Sequence, residues 1–481
     1  MRTKRSELSS LARRSLILAA RVVRLAILAG LICGGFPVSG QALQYPADFH
    51  FIEVADPLSG GNTTYTLSAA SLPSVGAAFF DPCFGTIQTR TTQTDGINSR
   101  HEYARIDPFN VDQALILLVS DQGGANVYHT GTMPYNQAGN LVRYVDVAEP
   151  RWDHTNPALL WGLDGFKIVT MDVLTTDTKT VVKDFEQDAV LGPIIAAQPV
   201  YRITCQDEGE ASTDRRYWAF MLQADDRADY QPLYLFSWDR TLDQVEGVYP
   251  LTASERSIDW VGMSPLGNYV LVGGDAENTP NTAGLTMANR AFTQFHRLTY
   301  ATGHSDVGLD SQGYEVIVMQ NSLTDHVDLI PIDWSTQPIL ESGGSYGGTG
   351  IVPLIRLYYD NESPYGLQSG VHISCNFPGY AVVSTHLGPA LADRNWLDRT
   401  IVLARLNRAQ PKVCYLAKIH NTTQDYWEET HAAITNDGQT VVWADNWGLN
   451  VGSDQMFLIQ LDMPPKWSSL TQTRATVWEI Y

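Results

Sequence analysis

The chain has 481 residues, 44% of them hydrophobic, with 32 Lys and Arg against 52 Asp and Glu, for a formal net charge of −20. So acidic a balance repels nucleic acid and anionic membrane surfaces, and it makes any anionic ligand depend on a local pocket of positive charge. Length alone allows several domains, whereas a repeated unit would fill the same length with one.

Residues 1–42 differ from the rest, because seven basic residues precede or interrupt an apolar stretch at 25–32 that is followed by small residues. This reads as a signal peptide rather than a membrane span, and it makes the remainder an exported protein, secreted or periplasmic, with no membrane association after cleavage. Its removal takes away one acidic residue and seven basic ones, so the remainder is more acidic still. Four cysteines are left, Cys83, Cys205, Cys375 and Cys414. Their even number permits disulfides in an oxidising compartment, although spacing does not fix a pairing.

Strand patterns open at 64–67 and 86–89, and part of the segment 43–91 is expected to complete the last sheet at the far end of the chain. A unit of lead-in strand, Gly/Asp/Asn turn and second apolar run then recurs. Lead-in strands fall near residues 103, 158, 217, 258, 305, 372 and 432. Third strands of the form apolar-x-apolar-x-Asp follow at 168–172, 329–333 and 457–462, each trailed by a turn rich in Thr, Ser or Asn. Recurrence at roughly 40 to 60 residues predicts an all-β, seven-bladed β-propeller. The predicted organisation is a signal peptide at 1–42, the propeller at 43–465 and a tail at 466–481, with inserts at 276–291 and 343–370 looping around one mouth of the channel.

In a propeller the lead-in strands converge on the central channel, so residues at their starts share one place. Three late units lead with His304, His372 and His431, with Asp306 and Cys375 nearby. Imidazole and thiolate suit Zn²⁺, and more carboxylate and water suit Mn²⁺ or Ca²⁺. The same histidines can instead form a hydrogen-bonded ring that ties blades together. An earlier constellation comprises Arg151-Trp152-Asp153-His154, Tyr201 and an acidic stretch running from Asp207 to Arg215-Arg216-Tyr217-Trp218. An Arg, a His and a Tyr around a cleft supply what β-elimination from a uronic acid requires: neutralisation of the carboxylate, removal of the proton on the adjacent carbon, and protonation of the departing glycosidic oxygen. Hydrolysis would instead need two carboxylates at a suitable separation.

These residues, with Glu102-Tyr103-Ala104-Arg105-Ile106-Asp107-Pro108 and the three histidine-led units, make the chain resemble the propeller-type polysaccharide lyases, most closely the ulvan lyases and more distantly the oligogalacturonate lyases. The resemblance implies β-elimination of a uronic-acid polysaccharide, preferably ulvan, leaving unsaturated uronyl ends. It implies His154 as catalytic histidine, Tyr201 as acid/base, Arg216 as the carboxylate-neutralising arginine and His129, with His101 as fallback, as a second histidine. It places Arg151, Trp152 and Arg215 on the substrate, Arg215 also being able to take the place of Arg216. A divalent metal on His304, His372, Cys375 and His431 is structural (Zn or Ca) in the ulvan-type reading and catalytic (Mn) in the oligogalacturonate-type reading. The other class of function open to the same fold is a non-catalytic binding propeller.

Overall fold

The computed structural model describes residues 43–461 apart from 60, 68–69, 96–98, 225–230, 339–349, 358–370, 387–394, 423–425 and 450–454. The leader at 1–42 and the tail at 466–481 lie outside the described residues. Seven antiparallel sheets form the blades of a β-propeller. Their first strands lie at Phe109 (a single bridge to Ile116), Ala148–Trp152, Val200–Thr204, Ile258–Met263, Ser305–Leu309, Val371–Ser374 and Ala433–Ile434. The expected third strands are present at Lys167–Asp172, His326–Pro331 and Gln455–Gln460.

Two lead-in assignments shift by one strand. The apolar runs Leu159–Asp164 and Tyr217–Ala224 are second strands, preceded by Ala148–Trp152 and Val200–Thr204 at the channel. The second strand of a blade is covered on both faces and so reads as a continuous apolar run. Ala148–Trp152 instead carries Glu149, Pro150 and Arg151, and Val200–Thr204 is partly exposed, so neither has the apolar signature. The 276–291 segment is also more than an insert, since Leu285–Ala288 is the third strand of the fourth blade.

Seven apolar clusters pack the blades. The ring closes where Ile87–Arg90 pairs antiparallel with Gln455–Gln460, Gln88 opposite Ile459, so the last blade holds strands from both ends of the chain. The strand expected at 64–67 is irregular, and Ala78–Phe80 takes the outer edge. Closure of this kind makes unfolding of the last blade require release of both chain ends.

The first strands run the same way around the channel. His304 Nδ1 meets His372 Nδ1 at 2.9 Å, and two residues further along Asp306 Oδ2 accepts from the Cys375 amide at 2.5 Å. His101 Nε2 likewise meets the His431 carbonyl at 2.6 Å, and Asp107 accepts from the Asn436 amide at 2.7 Å. Strand starts therefore gather at one mouth and strand ends at the other.

Candidate metal centre

At the starting mouth, His372 Nε2 lies 2.5 Å from Glu429 Oε2, His386 Nε2 lies 3.3 Å from Glu429 Oε1, and His431 Nε2 lies 3.8 Å from Glu429 Oε2. One donor atom each from His372, His386 and Glu429 falls within 4.8 Å of the other two. His372 and His431 are fully buried, while Glu429 and His304 reach the rim. Because Glu429 accepts from His372 Nε2, that ring keeps its proton on Nε2 and its Nδ1 accepts from His304. Burial, followed by the neighbouring imidazoles of His304, His386 and His101, holds His372 well below the ordinary histidine range. Burial also lowers His386 and His101 to about 4 and pushes His431 far down. Unprotonated imidazoles are what a metal requires.

The donor set tests which ion fits. His431 Nε2 is buried and has no close hydrogen bond among the described residues, Glu429 Oε2 standing 3.8 Å away, so it is open to a ligand. Imidazoles with one carboxylate suit Zn²⁺ or Mn²⁺, whereas Ca²⁺ takes six to eight oxygen ligands and does not fit. Cys375 stands apart from this set. It lies three residues beyond His372 on an alternating strand, so its side chain turns to the opposite face and joins an apolar cluster, where burial pushes the thiol up. Cys205 and Cys375 are buried free thiols.

His386 and Glu429 were missed by the sequence reading. His386 follows Tyr380–Thr385, and Thr385 pairs with Val371, so the hairpin returns His386 to the place where His372 starts. Antiparallel register after the histidine-led strand was the available signal. Glu429 precedes His431 by two residues in an irregular segment and carried no periodic signal.

The early-blade residues divide. His154 lies just past Ala148–Trp152 and so belongs to the ending mouth, opposite the histidine cluster. Arg215 donates to His154 Nε2 at 3.2 Å and to the Trp152 carbonyl at 3.1 Å; burial, then the Arg215 charge, lowers His154 to about 4. Arg216 is not at this place. Its guanidinium forms a bidentate pair with Asp239, 2.8 Å at the closest, because adjacent residues point to opposite sides and Arg215 takes a left-handed φ of 56°. Tyr201 is exposed on its strand, and His129 is exposed at the end of Ala125–His129 opposite Leu115. The structure thus brings His154 and Arg215 together and leaves His129, Tyr201 and Arg216 elsewhere. Arg151 is buried between Glu102 and Glu210, each at 3.5 Å, and Trp152 is buried with its indole N–H donating to the Pro108 carbonyl.

Between the mouths lies a buried charge cluster. Arg105 pairs with Glu208 at 3.0 Å and Asp306 at 3.3 Å, and its guanidinium sits 4.2 Å from the centre of the Trp260 ring. Glu208 and Glu210 flank Gly209, where a Cβ would lie 1.7 Å from the Val261 carbonyl oxygen. Gly209→Ala is therefore expected to cost about 1–3 kcal/mol by overpacking against backbone, read as a lower thermal melting temperature. An unchanged melt would mean that this turn does not press on Ile258–Met263.

No protein-family model matches the chain, and no curated protein matches it in sequence. Among solved structures, oligogalacturonate lyase from Vibrio parahaemolyticus is similar over 81% of this chain and 97% of that chain, with 12% identity and a TM-score of 0.51. An oligogalacturonate lyase in complex with manganese is similar over 80% and 95%, again with 12% identity and a TM-score of 0.51. The WD40 domain of Toxoplasma gondii coronin gives 8% identity and a TM-score of 0.42 over 82% and 88%. Identities this low establish a shared propeller fold and no more.

Proposed function

We propose that this chain is a metal-dependent polysaccharide or oligosaccharide lyase that cleaves a 4-linked uronic-acid substrate by β-elimination at the histidine mouth of its channel. The observation that carries the reading is the convergence of His372, His386 and Glu429, with His431, on one point at the channel rim. The distant fold likeness to an oligogalacturonate lyase holding manganese supports it. Ulvan remains one substrate within the class, but the residues expected to serve an ulvan-type reaction are dispersed, so the proposal rests on the uronate and not on the polymer. Export of the protein through its leader belongs to the same proposal.

His372, His386 and Glu429 would hold the ion, with His431 adjacent. When bound, a divalent ion supplies Lewis acidity toward the uronate carboxylate, which acidifies the proton on the neighbouring carbon. His304, on the rim and lowered by burial, is the proton acceptor. Tyr426 is 41% exposed, and its ring centre lies 5.2 Å from that of His431. Burial pushes the Tyr426 hydroxyl up to about 12, against the lowering pull of its hydrogen bond with Tyr103, so Tyr426 keeps a proton for the departing glycosidic oxygen. The C–H electrons form the new double bond as the C–O bond breaks, which leaves an unsaturated uronyl end.

The test is ultraviolet absorbance of unsaturated product from polygalacturonate, oligogalacturonates, ulvan, heparan and alginate, using protein loaded with Mn²⁺ or Zn²⁺ and protein stripped by chelator. Product from one substrate, lost on chelation and restored by metal, is the expected result. A folded, metal-loaded protein giving no product from any of them would overturn the lyase reading and leave a binding propeller.

A further inference from the structure

The ending mouth of the channel is a cavity of about 280 Å³ to which all seven blades contribute. The metal centre does not use it. Its walls are apolar, including Phe109, Met263, Val307 and Pro378, and its floor is the buried Arg105. Arg105 is 3% exposed; Nε and Nη1 are engaged by Asp306 and Glu208, while Nη2 has no hydrogen-bond partner among the described residues. Higher in the cavity, Glu210 stands 3.5 Å from Arg151 and 4.0 Å from Arg215, too far for saturated hydrogen bonding. Arg215 occupies His154 Nε2, so the imidazole proton sits on Nδ1 and that nitrogen is a donor.

From this arrangement we infer that the ending mouth is a second binding site, for a neutral pyranose or similar polyol. Donors at Arg105 Nη2 and His154 Nδ1 stand among acceptors at Glu208 and Glu210, and a hydroxyl group both donates and accepts. Charge excludes anions. Besides Glu208, Glu210 and Asp306, which face the guanidinium groups of Arg105, Arg151 and Arg215, the lining carries Asp107, Asp153 and Asp437, and Arg151 also pairs with Glu102, so carboxylates outnumber guanidinium groups and an added anion would be repelled. The volume is near the lower end of small-ligand pockets and suits one sugar ring. This inference is independent of the lyase reading, because it concerns the opposite mouth.

The experiment is calorimetric titration of the protein with methyl glycosides of D-galactose, D-glucose, D-xylose and L-rhamnose, and with D-galacturonate as the anionic control. Chelator is present in one arm, so binding at the metal centre is separated from binding here. The expected result is saturable binding of at least one neutral glycoside, unaffected by chelator, with galacturonate weaker. Glu210→Gln and His154→Leu, each checked for a native melting curve, are expected to weaken binding about 10-fold or more, the loss of one hydrogen bond to a charged or polar partner. If one variant fails to fold, the other carries the comparison. Failure of every neutral glycoside to bind, equal binding of galacturonate, loss of binding with chelator, or unchanged affinity in the folded variants would each overturn the inference.

Discussion

His372→Ala is expected to release the metal and to lower β-elimination by more than about 100-fold, the upper range for losing a residue that only supports a metal ligand. His372 is the hub of the centre. It is fully buried, contacts Glu429 through Nε2 at 2.5 Å and His304 through Nδ1 at 2.9 Å, and its ring centre lies 4.0 Å from that of His431. Truncation removes a donor and also frees Glu429 and His304 from the geometry that it imposes. Elemental analysis should find the metal substoichiometric, and circular dichroism should still show the propeller, since the blade clusters do not include this side chain. His304→Ala makes the informative companion. As proton acceptor outside the three-donor group, it should retain metal and lose turnover. A His372→Ala protein with full metal content and an unchanged rate would remove the histidine mouth as the reaction site.

The contrast between these histidines and the early-blade residues shows what the sequence could carry. His304, His372 and His431 were legible because a repeated unit places each at the start of a first strand, and strands of one repeat start at one mouth. Their partner His386 depended on hairpin register, and Glu429 on the path of an irregular segment, neither of which hydrophobic periodicity encodes. Errors in the early blades had a single cause. Ala148–Trp152 and Val200–Thr204 are channel strands without an apolar run, so hydrophobic periodicity points to the strand after each as the lead-in. That shift moved His154 from the end of one strand to the start of the next, and therefore to the wrong mouth. The choice between Arg215 and Arg216, open in the sequence, is decided by a left-handed backbone at Arg215, which sets Arg215 beside His154.

Arg105→Met is expected to be the most destabilising single substitution at the channel, by about 3–5 kcal/mol, the cost of leaving a buried charge without its partner. Methionine approximates the aliphatic stem and keeps contact with Trp260, so the loss would come from electrostatics more than from packing. Glu208 loses its 3.0 Å partner, and Asp306 keeps only the amides of Val307 and Cys375. The effect should depend on pH in a defined direction. Burial raises Asp306 to about 7, against the lowering pull of Arg105 and of those two amides. A carboxyl whose folded pKa exceeds its unfolded value favours folding when protonated, so its contribution declines as pH rises from about 4 and levels off above about 7. Without Arg105 the folded pKa rises further, and the decline continues beyond the pH at which the native chain has levelled. The stability gap between the two proteins should therefore widen above neutrality and narrow on acidification. Denaturant unfolding at acidic, neutral and mildly alkaline pH reads this directly. A gap that is constant with pH would mean that Asp306 does not sense Arg105, and a gap that grows on acidification would reverse the assigned coupling.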